Sequence, residues 1–162
     1  MGSADPIEIL RLLSATKVDF IVVGMAAGVL RGAPVTTVDL DIVHRRGLDN
    51  VSRLLEVLTE LQAVYRHDPR RLRPRESHLV TEGHQLLTTR YGDLDCLGMV
   101  GDGRTYEDLQ VSAPELELED GLTVRVIDLP TLIALKEEAG RPKDLAVLPV
   151  LRATLAETQR RS

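Results

Sequence analysis

The chain has 162 residues, of which 43% are hydrophobic and only 2% aromatic, and its formal net charge at pH 7 is −5. This length suffices for one hydrophobic core but is cramped for two, so we expect a single domain over residues 1–162. The modest acidity argues against a broad nucleic-acid-binding surface. The one cysteine, Cys96, excludes an intrachain disulfide. We find neither a signal peptide nor a membrane-length apolar segment, which predicts a cytoplasmic protein without membrane contact.

The N-terminal half of the sequence predicts helices that alternate with short strands. The first segment has apolar residues at helical spacing, with Asp5 as the N-cap and Pro6 in the first turn. Short apolar runs predict buried strands, and a longer amphipathic run predicts a second helix. The expected elements, in order, are a helix over Pro6–Ala15, a strand over Phe20–Val23, a short helix over Ala26–Arg31, a strand over Val38–Val43, and a helix that is capped near Asp49 or Asn50 and reaches Val64.

The C-terminal half predicts two hairpins and two helices, which gives an α/β order overall. Pro149 lacks a backbone donor, so the last helix should kink there or end at Leu148 and restart. The expected elements are a hairpin of His84–Arg90 with Leu94–Leu97 around Gly92-Asp93, a hairpin of Glu115–Glu119 with Leu122–Ile127 around Asp120-Gly121, a helix over Leu129–Ala139, and a helix from Pro142 to about Glu157.

The segment 66–75 is locally basic, with five arginines. A charge run of this kind is typical of a solvated loop, and this is our interpretation. The alternative is that it contacts an RNA end or the acidic face of a partner protein.

Two acidic residues interrupt the second predicted strand. Side chains alternate between the faces of a strand, so Asp39 and Asp41 point the same way, while Leu40 and Ile42 point into the core. Two carboxylates on one face repel each other and resist burial. A divalent cation that prefers hard oxygen ligands, Mg²⁺ or Mn²⁺, would relieve this repulsion. The alternative is a strand end that dips into solvent; His44, directly after the strand, could also approach such a site.

A glycine turn follows the first predicted strand. Gly24 lets the backbone come close to a ligand, and the short helix after it favours phosphate at its N-terminus. A glycine turn beside a carboxylate pair is the outline of a site for a nucleoside triphosphate and its metal ions.

The stretch from Gly24 to Asp41 resembles the signature of the polymerase-beta-type nucleotidyltransferase superfamily: an apolar strand, a glycine turn, a spacer and then Asp-hydrophobic-Asp. The likeness is greatest to small bacterial nucleotidyltransferases, including the enzyme components of abortive-infection toxin–antitoxin pairs. Tyr91–Gly98 is similar to the strand that carries the third metal-binding carboxylate of the family. Ile127–Leu145 is similar to its C-terminal helical motif, and the matches together span about residues 18–150.

The resemblance implies a nucleotidyltransferase-type mixed sheet flanked by helices. It implies a metal- and nucleotide-binding core in 18–100, followed by C-terminal helices in 128–160. It also implies that Asp39, Asp41 and Asp95 are the catalytic carboxylates and hold the metal ions, Mg²⁺ or Mn²⁺.

The third carboxylate has two candidates, Asp93 and Asp95. Asp93 follows Gly92 in the predicted turn, where an aspartate is ordinary turn chemistry. Asp95 lies between apolar residues inside the strand, where aspartate is disfavoured, so we choose Asp95.

The resemblance further implies a set of nucleotide-binding residues. Lys136 also has a plainer interpretation as a surface lysine, and Lys143 with Asp144 as charges of a first helical turn. The chain departs from the family at Met25, where a glycine or serine is usual, and at Val35, near which many relatives carry arginine. The predicted nucleotide-binding residues are Gly24, Met25, Thr37, Lys136 and Lys143.

These observations predict a metal-dependent nucleotidyltransferase, which moves a nucleoside monophosphate from an NTP to an acceptor and releases pyrophosphate. The acceptor stays open among an RNA end such as tRNA, a protein and a small molecule. The alternatives are a catalytically weak or inactive binding module of the same fold, and a toxin–antitoxin component with a cognate protein partner. The sequence leaves the oligomeric state open.

Overall fold

The computed structural model describes residues 4–162 of the chain. Within this range, the predicted helices and strands are present, together with one short strand and two short helices that the sequence analysis did not predict. The elements in chain order are α1 (Pro6–Ala15), β1 (Phe20–Val23), α2 (Gly24–Leu30), β2 (Leu40–His44), α3 (Leu48–Glu60), β3 (Val64–Tyr65), α4 (Glu76–Leu79), β4 (His84–Thr89), β5 (Gly92–Leu97), α5 (Tyr106–Leu109), β6 (Glu115–Glu117), β7 (Thr123–Val126), α6 (Leu129–Ala139) and α7 (Pro142–Arg161).

The strands form one mixed sheet in the order β3-β4-β5-β2-β1-β7-β6. β2 pairs in parallel with β5 and antiparallel with β1, and β1 pairs in parallel with β7. The remaining neighbours pair antiparallel. The predicted mixed sheet with flanking and C-terminal helices is therefore confirmed.

The central strands consist largely of apolar residues, which are buried. All four residues of β1 are buried, as are Leu40 and Ile42 of β2. On α2, a Cβ at Gly28 would lie 3.1 Å from Leu151 and 3.4 Å from Leu132. The small residues of α2 thus let this short helix pack closely against α6 and α7.

Several element boundaries differ from the prediction for local reasons. The second long helix ends at Glu60, because Gln62 has a left-handed backbone (φ 56°) and the chain then enters β3 at Val64. The strand β2 begins only at Leu40, so Asp39 precedes it. The short helix α2 begins at Gly24 instead of Ala26.

The β4–β5 hairpin turns at Arg90-Tyr91, so the predicted turn at Gly92-Asp93 is wrong. The Thr89 hydroxyl organises this turn: it donates to the Gly92 carbonyl at 2.7 Å and accepts from the Tyr91 amide at 3.0 Å. Gly92, with φ 111°, then begins β5. The predicted pairing of β6 with β7 is confirmed, but the connection between Glu117 and Thr123 is longer than the predicted turn at Asp120-Gly121 and contains a short 3₁₀ turn over Glu119–Gly121.

The final helix continues through Pro149, so the predicted alternative of an end at Leu148 is wrong. Leu148 and Leu151, on either side of the proline, are both buried. Packing of the two flanks against the core holds the helix together despite the missing donor. None of the helices between residues 4 and 162 combines the length and the apolar character needed to cross a lipid bilayer.

We predict that Gly98→Ala destabilises the end of β5. A Cβ at this position would lie 2.2 Å from the Thr81 carbonyl oxygen and 2.8 Å from the Glu82 backbone. Because backbone cannot yield as a side chain does, we expect a loss of about 1–3 kcal/mol in unfolding free energy, measured by urea denaturation.

Gly83→Ala is the matched control, since its Cβ would meet atoms no closer than 3.4 Å. We expect it to change the unfolding free energy by less than about 1 kcal/mol. Equal stability of the two variants would contradict this account of the β5 end.

Candidate functional site

Two carboxylates lie side by side at the centre of the sheet. Asp41 of β2 is in register with Asp95 of β5, and on its other side with Val23 of β1. Because paired residues of neighbouring strands project from the same face, both carboxylates point into one depression of the surface. Leu86 of β4 continues the row beyond Asp95.

This depression is a cleft of about 690 Å³, which we call the carboxylate cleft. The sheet forms its floor, the C-terminal part of α6 and the first turn of α7 form one wall, and the loop 100–102 forms part of the rim. Arg104, just after this loop, bonds to Glu138 of α6 at 2.7 Å. The lining residues that matter below are Gly24, Asp39, Asp41, Arg66, His84, Leu86, Asp95, Lys136, Arg141, Lys143 and Asp144.

Asp41 is confined on two sides. Its Oδ1 atom is buried and has no hydrogen-bond partner among residues 4–162. Its Oδ2 atom lies 2.6 Å from the point where a Cβ on Gly24 would stand. Gly24 also has a left-handed backbone, with φ 64°. A glycine is therefore needed here both for the turn and for the space that Asp41 occupies.

The environment of Asp41 raises its pKa from 3.8 to about 7. Burial is the largest cause, followed by the negative charge of Asp95, a hydrogen bond shared with Asp95, and the charge of Asp39. Lys136 across the cleft acts in the opposite direction. The ionised pair is thus unfavourable without an added positive charge.

Asp39 lies at the cleft but is exposed and precedes β2. Among residues 4–162, no group of three or more acidic, histidine or cysteine side chains stands close enough to share a metal ion as it is. The structure brings Asp41 and Asp95 together, and Asp39 lies at the solvent-exposed edge of the same cleft. The role of the three as metal ligands stays a prediction.

Met25 and Thr37 were also predicted to bind nucleotide. Among the residues that the structure describes, neither of them lines the carboxylate cleft. Met25 is half-buried and packs against the core, with its methyl group 3.5 Å from where a Gly28 Cβ would be. Thr37 is half-buried and its hydroxyl lies 3.5 Å from the Asp39 carbonyl oxygen. A nucleotide contact through either side chain stays a prediction.

Arg66 is a cleft residue that the sequence interpretation missed. Its Nη2 donates to Asp95 Oδ1 at 2.9 Å, and its Nη1 lies 3.5 Å from Asp93 Oδ2. We predicted a solvated loop over 66–75, and Arg70, which is exposed and paired with Asp68, fits that description. Arg66 does not, because β3 carries it onto the sheet; the apolar pair just before it was the available signal.

Of the two candidates for the third carboxylate, Asp95 is the one that lines the cleft. Its side chain is 15% exposed, against 33% for Asp93. Both contact Arg66, but only Asp95 is in register with Asp41. The geometry therefore favours the choice of Asp95.

An ion-paired cluster stands on the helical wall. Asp144 is completely buried and accepts from Lys136 Nζ at 3.3 Å and from Arg141 Nε at 2.6 Å. These bonds, led by that of Arg141, lower the pKa of Asp144. Lys136 is only 18% exposed, so its interpretation as a surface lysine is wrong. Lys143, one residue before Asp144, is exposed at the cleft.

His44 and Cys96 belong to the core. His44 is buried, its Nε2 lies 2.7 Å from the Leu79 carbonyl oxygen, and burial lowers its pKa. It lies outside the cleft lining of residues 4–162, so the idea that it approaches the site is not supported. Cys96 is fully buried, and burial raises the pKa of its thiol.

Comparison with known proteins identifies the fold. No family model matches the chain, and no curated protein matches it by sequence. A nucleotidyltransferase candidate from Thermotoga maritima superposes with a TM-score of 0.51 at 21% identity, over 96% of this chain and 88% of that one. The antibiotic-resistance factor ANT(2″)-Ia, in complex with adenylyl-2″-tobramycin, gives 0.62 at 18% identity, over 94% and 89%.

The lincosamide antibiotic adenylyltransferase LnuA, with lincomycin bound, gives a TM-score of 0.63 at 16% identity, over 92% of this chain and 95% of that one. The chain thus has the nucleotidyltransferase fold, along nearly its whole length. At these identities the likeness is one of fold, and the activity has to be argued from the site.

We predict that Lys136→Ala lowers stability. Asp144 is completely buried, and removing one partner of a buried charge leaves that charge poorly compensated. Since Arg141 still bonds to it, we expect a loss of about 1.5–3 kcal/mol, measured as the urea unfolding free energy.

The matched control is Lys143→Ala on the same wall. Lys143 is exposed, so we expect a change of less than about 0.5 kcal/mol. If both variants unfold at the same urea concentration as the native protein, Lys136 does not stabilise Asp144.

We predict that Asp41 makes stability depend on pH. The folded protein keeps a proton on Asp41 up to about pH 7, whereas the unfolded chain releases it near 3.8. Stability therefore falls as the pH rises through this window, and Asp41→Asn, which cannot ionise, escapes the loss.

The measurement is urea unfolding of both proteins between pH 4 and pH 8 in the presence of a chelator. The free-energy difference between Asp41→Asn and the native protein should grow in favour of the variant as the pH rises. A difference that is constant with pH would mean that Asp41 ionises normally.

Proposed function

We propose that this protein is a metal-dependent nucleotidyltransferase that moves a nucleoside monophosphate from an NTP to a hydroxyl-bearing acceptor and releases pyrophosphate. The observation that carries the proposal is the pairing of Asp41 with Asp95 on the floor of the cleft, opposite a wall that bears Lys136 and Lys143. Carboxylates on one side and cations on the other suit a metal–triphosphate complex.

The residues present fit a divalent cation. Asp41 offers a buried oxygen without a protein partner in the described part of the chain. Its pKa is raised by burial and, after that, by the negative charges of Asp95 and Asp39, which a cation would neutralise. The donors are hard carboxylate oxygens, which suit Mg²⁺ or Mn²⁺. Asp41 would hold the ion with Asp39 and Asp95 beside it; the ion would supply charge neutralisation at the phosphates.

The phosphate side of the cleft is built from Gly24 and the helical wall. Gly24 brings backbone, without a side chain, to the edge of the carboxylate pair. Lys136 is close enough to Asp41 to influence its pKa, so its ammonium group lies within electrostatic reach of a phosphate bound there. Lys143 is exposed at the cleft and would add a second positive charge.

Asp95 is the candidate for contact with the acceptor. It lies between Asp41 and the β4 side of the cleft, where Leu86 and His84 form the floor. A carboxylate at this position would accept a hydrogen bond from the acceptor hydroxyl and take up its proton as the new phosphodiester bond forms. The leaving pyrophosphate would face the lysines.

A small molecule is the acceptor that the cleft favours. Leu86 is a large apolar side chain left 40% exposed on the floor, which offers a platform for a compact, partly apolar molecule. The net charge of −5 disfavours a long polyanion such as tRNA. ANT(2″)-Ia and LnuA, which share the fold, hold an adenylylated antibiotic and an antibiotic respectively.

A second candidate is a nucleotide-binding module without catalysis. It is favoured by one observation: within residues 4–162 no three acidic groups stand ready as shared metal ligands. Membership of a toxin–antitoxin pair, a cytoplasmic location and a single domain over the whole chain stay predictions.

We predict that the protein transfers labelled nucleotide in the presence of Mg²⁺ or Mn²⁺. The assay offers α-³²P-labelled NTPs one at a time, with pooled hydroxylated small molecules, total tRNA or cell lysate as acceptor, and measures labelled product and pyrophosphate. In parallel, Mn²⁺ with the preferred NTP should raise the melting temperature. At a ligand concentration a hundredfold above Kd, binding adds about 2.7 kcal/mol to the free energy of unfolding.

Asp41→Asn is the matched control, because it keeps the shape of the side chain and removes its charge. It should abolish both the transfer and the Mn²⁺-dependent shift while the protein stays folded. A shift without transfer would favour the binding module, and a transfer that survives Asp41→Asn would contradict the proposed site.

A further inference from the structure

Arg66 links the edge of the sheet to the carboxylate pair. It directly follows β3, and its backbone amide donates to the Leu86 carbonyl at 2.9 Å, so the chain is still held to β4 at this point. From there its side chain crosses towards β5 and reaches Asp95. An arginine at the outer strand thereby acts on a carboxylate near the centre of the sheet.

The guanidinium group is fixed by more than the bond to Asp95. Its Nη1 donates to the Leu87 carbonyl at 2.9 Å and lies 3.5 Å from Asp93, while Nη2 donates to Asp95 at 2.9 Å. The side chain is 18% exposed. Three partners on two strands define the plane of the guanidinium, so it offers Asp95 a rigid donor.

The bond from Arg66 engages one oxygen of Asp95, Oδ1. A carboxylate held by one oxygen cannot rotate freely, and its other oxygen has a defined direction. Asp95 is in register with Asp41 and lines the cleft, so the orientation of its second oxygen matters for whatever binds there.

We propose that Arg66 is a positioning residue for nucleotidyl transfer: it fixes the Asp95 carboxylate so that its second oxygen meets the acceptor hydroxyl. This inference rests on the proposed function. Arg66 acts through Asp95 and does not itself bind the triphosphate, which faces Lys136 and Lys143 on the other wall.

Loss of Arg66 should lower the rate of transfer without weakening substrate binding, whereas a general loss of structure would lower both. Removal of Arg66 leaves Asp41, Asp39 and the lysines unchanged. Asp95 keeps its negative charge, so we expect the binding of Mn²⁺ and NTP to be kept. The acceptor hydroxyl, however, meets a carboxylate of undefined orientation. Misplacement of a reacting group by about 1 Å can cost on the order of a hundredfold in rate.

The test compares Arg66→Ala and Arg66→Lys with Arg70→Ala. Arg70 belongs to the same basic segment, but its side chain is 72% exposed and it pairs with Asp68, away from the cleft. We expect Arg66→Ala to lower kcat by about 10- to 100-fold, with the KM for NTP and the Mn²⁺–NTP melting shift within twofold of the native values. Arg66→Lys should recover part of kcat, and Arg70→Ala should match the native protein.

Chemical rescue gives a readout that a merely structural role would not move. Ethylguanidinium at low millimolar concentration should restore several-fold activity to Arg66→Ala, because it can occupy the vacated position beside Asp95 and Leu87. It should leave Arg70→Ala and the native protein unchanged. Urea midpoints of all proteins are measured on the same samples.

The inference is overturned if Arg66→Ala keeps native kcat, if its Mn²⁺–NTP binding is lost together with kcat, or if ethylguanidinium restores nothing. Should Arg66→Ala fail to fold, Arg66→Lys decides: a lowered kcat with native NTP binding supports the proposal, and native kcat overturns it. Absence of transfer by the native protein would instead defeat the proposed function, which keeps the two failures distinct.

Discussion

The parallel pairing of β2 with β5 is the constraint on which the site depends, because it sets Asp41 beside Asp95 in a partly buried position. Two such charges repel, and the surrounding chain accommodates them with particular residues. Gly24 leaves space for one oxygen of Asp41, and Arg66 engages one oxygen of Asp95. Among residues 4–162, no basic side chain forms an ion pair with Asp41, and Lys136 acts on it only across the cleft. The pair is therefore poised for an external positive charge.

The positive side chains around the cleft are of two kinds. Arg66, Lys136 and Arg141 are already bonded to carboxylates, so they hold the walls in place before any ligand arrives. Lys143 is exposed and can respond to a ligand. Such prior pairing lowers the conformational freedom that binding would otherwise have to remove. It also explains why Asp144, a residue that we read as an ordinary first-turn charge, is completely buried.

Local sequence pattern was enough to single out Asp95 as a candidate and to predict the bounds of α6. Asp95 was chosen because an aspartate is disfavoured between apolar strand residues. The predicted bounds of α6, Leu129–Ala139, agree with the structure, in which Asp128 and Gly140 cap the helix. Arg66 escaped because its contact with Asp95 depends on a two-residue strand, β3, and on pairing across the sheet. The turn lies at Arg90-Tyr91 because the Thr89 hydroxyl organises it; threonine is a weaker turn signal than the adjacent glycine and aspartate, on which the prediction relied.

The central claim is that Asp41 anchors a divalent cation beside Asp95. The most direct measurement is a crystal structure of the protein grown with Mn²⁺ and a non-hydrolysable NTP analogue, with anomalous diffraction recorded at the manganese edge. The account predicts an anomalous peak within about 2.5 Å of an Asp41 oxygen, with the phosphates between that peak and the lysines of α6 and α7. A nucleotide bound elsewhere, or manganese that avoids Asp41, would contradict it.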